Sequence, residues 1–503
     1  MAGLIYHSDK RRVIPQIERA EKFKKSILPL EELGNQHFIK PTIEFKDEEL
    51  ESKIEKWKTT KSKKLGGDIL SSAIVNDEME KIRDIVSYLK TNYPNDIILN
   101  KIFDKNNNTN KIAHNRKKLI LEPKDAITWT DQAINYIDLG NREKALKCIQ
   151  SALSINNNQA FILRNASRIY NLCGDNGEAI KILKRSEYYK YDPQILASEI
   201  AFSQLENRRS KGPDFGYKIL KEGNFNPHEI TELSSALGTS EYFQGNLIKS
   251  EKLFNQALIS PNNNSLAQSL WYKQDEISDE IFNLNNNSNE IQTHKRANAS
   301  DFNNSLKFAL KWIKDEPYSK RPYNTAAHLS GVLLGQYEKA IELEKENLNK
   351  QQQIKGKLST EEDFSFRNDL AYYLLKNEQI NEATKLLLPM MNLILTKTNL
   401  NHKEYFNIAT FGLLFYRMGK IDMGKKLYRK AIKYFIDHDK LYNARSAFYN
   451  FFLEEIKVQD DIEILNKLRK ELDFMIPVSA QNDMIFLKDK AIKEFNYKMQ
   501  KRN

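Results

Sequence analysis

Residues 126–159 read AITWTDQAINYIDLGNREKALKCIQSALSINNNQ, and residues 160–193 read AFILRNASRIYNLCGDNGEAIKILKRSEYYKYDP. Laid one over the other, Tyr136 falls on Tyr170, Gly140 on Gly174 and Ala145 on Ala179, each pair 34 residues apart. Three coincidences at one period point to a repeat array rather than to one compact domain. Small residues recur where two helices must approach closely.

The pattern continues down the chain. A weak copy runs from Leu196 to Ile230, and Thr231–Asn264 restores the match with Leu237, Gly238, Gly245, Phe254, Ala257 and Pro261. Arg321–Leu348 supplies Ala327, Gly335 and Ala340, and Phe364–Met391 supplies Leu370, Ala371, Ala383 and Leu387. Tyr405–Phe435 supplies Phe411, Gly412, Gly419, Tyr428 and Ala431. With Trp129, Tyr136, Gly140, Ala145, Ile149 and Ala152 at the motif positions of the first copy, the chain resembles the tetratricopeptide-repeat family, bacterial type. Ala133 replaces the first glycine of that motif, and Pro123 sits where a preceding copy would close. The resemblance covers roughly 126–456. It implies an all-α superhelical solenoid of antiparallel helix pairs, because one pair cannot bury its apolar face and neighbours must stack.

Composition agrees with an array. The 503 residues exceed the size at which a single core keeps growing, and 18 Gly with 13 Pro are too few for a turn-dense β-fold. The chain divides by pattern into a charged extension and linker at 1–66, a helical cap at 67–125, the solenoid at 126–456 and capping helices at 457–503. TTKSKKLGG, Thr59–Gly67, reads as a linker, and 282–304 and 349–363 read as loop insertions. No window is apolar for the roughly 18 residues a membrane span needs, and the start lacks an apolar signal core, so a cytoplasmic chain without a membrane partner is expected. Cys148 and Cys173 read as small core residues.

Nothing matches a phosphate-cradling loop, a zinc-binding H-E-x-x-H or paired C-x2-C ligands, and the eight histidines lie far apart. No enzymatic activity, metal or cofactor is expected. Binding is the better question. In the resembled family the first helix of each pair lines the concave groove, which makes Arg164, Arg168 and Asn171 site candidates. Their i, i+4, i+7 spacing puts two guanidinium groups and an amide on one face, suited to a carboxylate or phosphate. The same arginines could instead pair with a neighbouring repeat or face water. The family's clamp for a C-terminal carboxylate is not reproduced, since Thr130 and Ile134 occupy the equivalent places one copy earlier.

A second candidate is Lys425, Lys426, Arg429, Lys430 and Lys433, five cations along one face of a helix whose other face carries Leu427, Tyr428, Ala431 and Ile432. With a net charge of +11 and a pI near 9.1, such a stripe is either a solvated outer face or a contact for nucleic acid or an acidic protein. The resulting expectation is a scaffold or adaptor that holds a protein or peptide in its groove. By family analogy, that partner is an effector encoded nearby, of toxin or phage-defence type. The alternative is a nucleic-acid-binding or sensing solenoid.

Overall fold

The structure is a computed structural model that describes residues 47–75, 79–94, 108–206, 208–273, 277, 281, 288–397 and 399–501. Among these residues there are twenty-four α-helices and no strand. They fall into two units, one holding the described residues up to 171 together with 177–195, the other 172–176 and 196 onward.

The first unit opens with α1 (Asp47–Thr60), α2 (Lys63–Val75) and α3 (Arg83–Asn92), which close a small core around Trp57, Ile69, Leu70, Ile85 and Leu89. Thr59–Gly67, expected to be a linker, is almost entirely helical. Only Lys61 and Ser62 separate α1 from α2, and the Trp57 indole donates to the Ser62 carbonyl at 3.0 Å, pinning the break against the core. Residues 1–46 lie outside the described residues. The unit continues with α4 (Asn108–Leu121), α5 (Ala126–Asp138), α6 (Arg142–Ile155), α7 (Ala160–Leu172) and α8 (Asn176–Arg185). Helix α5 starts at Asp125, whose carboxylate accepts from the Ile127 and Thr128 amides, and packs along both α4 and α6.

Helix α9 (Pro193–Leu205) begins in the first unit, which includes Gln194 and ends at Ile195, and the second unit goes on with α10 (Gly212–Glu222), α11 (Pro227–Phe243), α12 (Leu247–Ala257) and α13 (Asn263–Lys273). After α14 (Asn289–Asn298) and α15 (Phe302–Asp315) come α16 (Lys320–Ala327), α17 (Tyr337–Lys355), α18 (Thr360–Lys376) and α19 (Ile380–Ile394). The chain closes with α20 (His402–Arg417), α21 (Ile421–Asp437), α22 (Leu441–Val458), α23 (Ile462–Met475) and α24 (Asn482–Gln500). Partners pack pairwise as α11/α12, α14/α15, α16/α17, α18/α19, α20/α21 and α22/α23. First helices also touch first helices, α18 on α20 and α20 on α22, which is the stacking a repeat array requires. One continuous apolar core, from Phe302 to Phe495, joins these pairs.

Two expected loop insertions prove largely helical. Within 282–304, residues 289–298 form α14, capped by the Ser288 hydroxyl on the Ile291 amide, while 282–287 lie outside the described residues. Within 349–363, α17 persists to Lys355 and α18 starts at Thr360. The Ser359 and Glu362 side chains form a reciprocal capping box, so a polar stretch that resembles a loop is a helix start.

The turn between paired helices needs one left-handed residue. Gly140, Gly174, Gly245, Gly335 and Gly419 supply it, with φ between 72° and 85°. Between α14 and α15 the place is taken by Ser300 at φ 58°, and between α18 and α19 by Glu378 at φ 60°. A left-handed side chain costs roughly 1–2 kcal/mol, and glycine returns roughly 0.5–1 of that as unfolded-state entropy. Ser300→Gly and Glu378→Gly are therefore each expected to stabilise the chain by about 0.5–1 kcal/mol in denaturant titrations. A lower midpoint in both would show that these turns are not strained.

Candidate functional site

Helix α7 carries the first set of candidates, and they do not share one environment. Arg164 is fully buried and donates from Nη1 to Gln194 Oε1 of α9 at 2.7 Å. A guanidinium closed over in this way is not displayed to a ligand, which corrects the expectation of an exposed three-residue face. Arg168 and Asn171 are half-buried. The i, i+4 spacing placed both arginines on one side of the helix, but Gln194 encloses Arg164 while Arg168 stays half-buried.

The cationic stripe lies on α21. Lys425 meets the buried Glu455 carboxylate of α22 at 3.0 Å, and Lys433 meets Asp437 at 3.0 Å. Arg429 holds both carboxylate oxygens of Glu471 on α23, at 2.5 and 3.0 Å, with its guanidinium 4.7 Å from the centre of the Phe451 ring. Lys426 and Lys430 are exposed. Three of the five cations thus face carboxylates, two of them on the following repeat, and the stripe is partly neutralised by its own fold.

Three successive first helices converge on a charged knot that the sequence did not advertise. Glu454 of α22 receives Arg417 of α20 at 3.2 Å and Lys376 of α18 at 3.6 Å. Lys457, one turn on, adds a contact at 3.7 Å. Burial pushes the Lys376 ammonium down to about 8, against the pull of Glu454. Beside the knot the Tyr416 hydroxyl donates to Glu455, and burial followed by that carboxylate raises the phenol far above its usual range.

A pocket of about 240 Å³ opens where α16, α18 and α20 meet, with Asn324, Asn368, Asp369 and Asn407 on its walls beside the rings of Phe364 and Phe406. The capping boxes at Ser359 and Asn401 fix where α18 and α20 begin and so set the depth of its rim. At that rim Lys397 pairs with Glu404 and Lys403 with Glu361. The signal for this site was the polar pair Asn368-Asp369 set directly before the apolar Leu370-Ala371 inside a first helix.

Among the described residues no three His, Cys, Asp or Glu side chains gather to hold a metal ion. Cys148 and Cys173 are both buried, and burial pushes the Cys148 thiol up to about 11, away from the thiolate a nucleophile needs. No described helix is long and apolar enough to cross a membrane.

Comparison with known proteins bears on the repeat unit itself. Residues 127–159 match the family model of the tetratricopeptide repeat. No curated protein sequence matches. Similar solved structures include yeast Tom70, at 14% identity and a TM-score of 0.34, covering 87% of this chain and 95% of that one. The APC/C hetero-tetramer Cut9-Hcn1 is similar at 11% identity and a TM-score of 0.44, covering 88% and 92%. A human IFIT1 dimer with PPP-AAAA is similar at 13% identity and a TM-score of 0.31, covering 74% and 89%. The matched segment is α5, the turn at Gly140 and α6, the helix pair whose residues define the period, so the chain carries a tetratricopeptide repeat within an all-α array of helix pairs.

Proposed function

We propose that this chain is a non-catalytic scaffold or adaptor that holds a protein or peptide segment against the first helices of its repeats. The observation that carries the reading is the pocket between α16, α18 and α20, where amides from three successive first helices stand beside two aromatic rings. Asn side chains offer both donors and acceptors to an extended backbone, and the rings offer an apolar surface for a side chain. In this reading the partner is an effector whose activity the scaffold restrains, and the chain works in the cytoplasm. Arg168 and Asn171 form a second contact, toward an acidic group of the partner, with Arg164 supporting α7 from within.

The cations of α21 give a nucleic-acid reading little to work with, because Lys425, Arg429 and Lys433 already face carboxylates. The test is affinity purification of tagged chain from its own cells, followed by titration calorimetry with the recovered protein. Charge-assisted hydrogen bonds contribute roughly 1.5–3 kcal/mol each, so Arg168→Ala is expected to weaken that complex about tenfold to a hundredfold with an unchanged melting temperature. Arg164→Ala is expected to lower the melting temperature instead. Full affinity in Arg168→Ala removes that contact, and turnover of peptide, nucleotide or nucleic acid by the pure chain overturns the non-catalytic reading.

A further inference from the structure

The polar atoms enclosed around the α16/α18/α20 pocket are unevenly satisfied. Asn347 of α17 donates its amide to Asn324 Oδ1 at 2.9 Å, and Asn368 donates to Asp369 Oδ1 at a long 3.4 Å. Left without a hydrogen-bond partner among the described residues are Asn347 Oδ1, Asn368 Oδ1 and both carboxylate oxygens of Glu344, all of them acceptors. Glu344 on α17 is 1% exposed and Asp369 is 9% exposed. Burial pushes both carboxyls up, and the charge of Asp369 pushes Glu344 further. The nearest rim cations, Lys397 and Lys403, are held by Glu404 and Glu361.

Among the described residues neither carboxyl has an ion-pair partner, and burial draws both toward the neutral form until a cation arrives to favour the ionised one. On the pocket wall itself Asp369 and the unsatisfied Asn368 Oδ1 are acceptors, with Glu344 close enough to act on Asp369 by its charge, and the complement to acceptors is a group made only of donors. Ammonium offers three N–H bonds and guanidinium five, and neither has an acceptor. An anion would be repelled by both carboxylates. A divalent metal would find too few convergent ligands, since no three metal-ligating side chains gather among the described residues. The rings of Phe364 and Phe406 suit the methylene stem of a long cationic side chain, and an aromatic face attracts its charged end.

We propose that this pocket receives a lysine or arginine side chain of the bound segment, with Asp369 and Asn368 contacting the cation and Glu344 supplying charge from behind. The inference rests on the reading that a peptide segment binds along the first helices, and it names the anchor residue of that segment. It is the inverse of a carboxylate clamp, with the acid on the scaffold and the base on the partner.

The test uses the full chain and four degenerate nonapeptide libraries, fluorescently labelled, whose central residue is fixed as Lys, Arg, Ala or Glu. Anisotropy titrations are expected to show the Lys and Arg libraries binding about tenfold or more tightly than the Ala library, with the Glu library weakest. Asp369→Asn is expected to shrink that preference to less than about threefold. Glu344→Gln is expected to act in the same direction but less strongly. Melting temperatures of both variants, expected at or above that of the parent because a buried acid with no ion-pair partner among the described residues is removed, show that the fold is intact. Equal affinity across the four libraries, or a preference that survives Asp369→Asn, overturns the cation pocket and leaves peptide binding standing. Absence of binding by every library overturns both.

Discussion

Glu454→Gln is expected to destabilise the chain by about 3–5 kcal/mol, the loss that follows when one partner is taken from a buried ion cluster. Lys376 is 5% exposed and Glu454 2%, so the ammonium cannot be rehydrated once the carboxylate is gone, and Arg417 at 11% is nearly as confined. A glutamine keeps the shape and one acceptor but not the charge. The pH dependence separates this cause from a packing defect. Lys376 has its folded value lowered to about 8, below its unfolded value, so between about 8 and 10.4 the unfolded chain binds more protons than the folded one. Stability attached to this group therefore rises with pH across that window. Without Glu454 the folded value falls further and the window opens toward neutral pH. Urea titrations at pH 7 and 9.5 should show the deficit of Glu454→Gln shrinking at the higher pH as Lys376 becomes neutral, with a residue from Arg417, which stays charged. A deficit below about 1 kcal/mol, or one equal at both values, would mean that the knot is solvated and adds nothing.

How much of this was legible in advance depends on which physical constraint left a residue-level mark. The turn between paired helices requires a left-handed residue, and where that residue is glycine, as at Gly140, Gly174, Gly245, Gly335 and Gly419, the period could be read directly. Ser300 and Glu378 adopt the same backbone without announcing it, so α14 and the turn into α15 were read as a loop, and the α18/α19 pair matched without a turn glycine. After α16 a stretch of π-helix, His328–Leu333, inserts into the first helix and shifts its phase against the motif. The capping signal at Ser359 and Glu362 was present in the sequence, but it lay inside a polar run that also fits a turn.

Sites were less legible than turns because they are assembled across repeats. Spacing alone puts Arg164 and Arg168 on one face of α7, yet what covers Arg164 is Gln194, thirty residues onward. Lys425 and Arg429 belong to one helix by pattern, whereas their partners Glu455 and Glu471 come from α22 and α23. Glu344, which Asp369 at the pocket wall influences by its charge, comes from the second helix of the preceding pair. Helix periodicity reports which side of one helix a residue occupies. It carries no information about how deeply the neighbouring pair closes over it.

The helix crossings themselves offer the second large effect. Five residues after each turn position the chain places Ala145, Ala179, Ser250, Ser305, Ala340, Ala383 and Gly424, all of them buried. At the α20/α21 crossing a methyl group added to Gly424 would lie 2.5 Å from the Tyr416 ring and 2.9 Å from the Gly412 carbonyl oxygen. At the α11/α12 crossing the Ser250 hydroxyl donates to the Gly238 carbonyl at 2.8 Å, so the helices are close enough for a side chain to bond the facing backbone. An indole at such a position must separate two helices, and the displacement passes to the pairs stacked on either side. Overpacking typically costs about 1–3 kcal/mol and occasionally more, and Ala145→Trp and Ala179→Trp are expected at or above the top of that range. Ser250→Ala, which removes only the hydroxyl and leaves space rather than a clash, is expected to cost about 1 kcal/mol. Melting temperatures of the three variants should therefore fall in the order Ser250→Ala, then the two tryptophans well below it. A tryptophan variant that melts with the parent would place that residue on an open face, and the 34-residue register that assigned it to a crossing would have to shift.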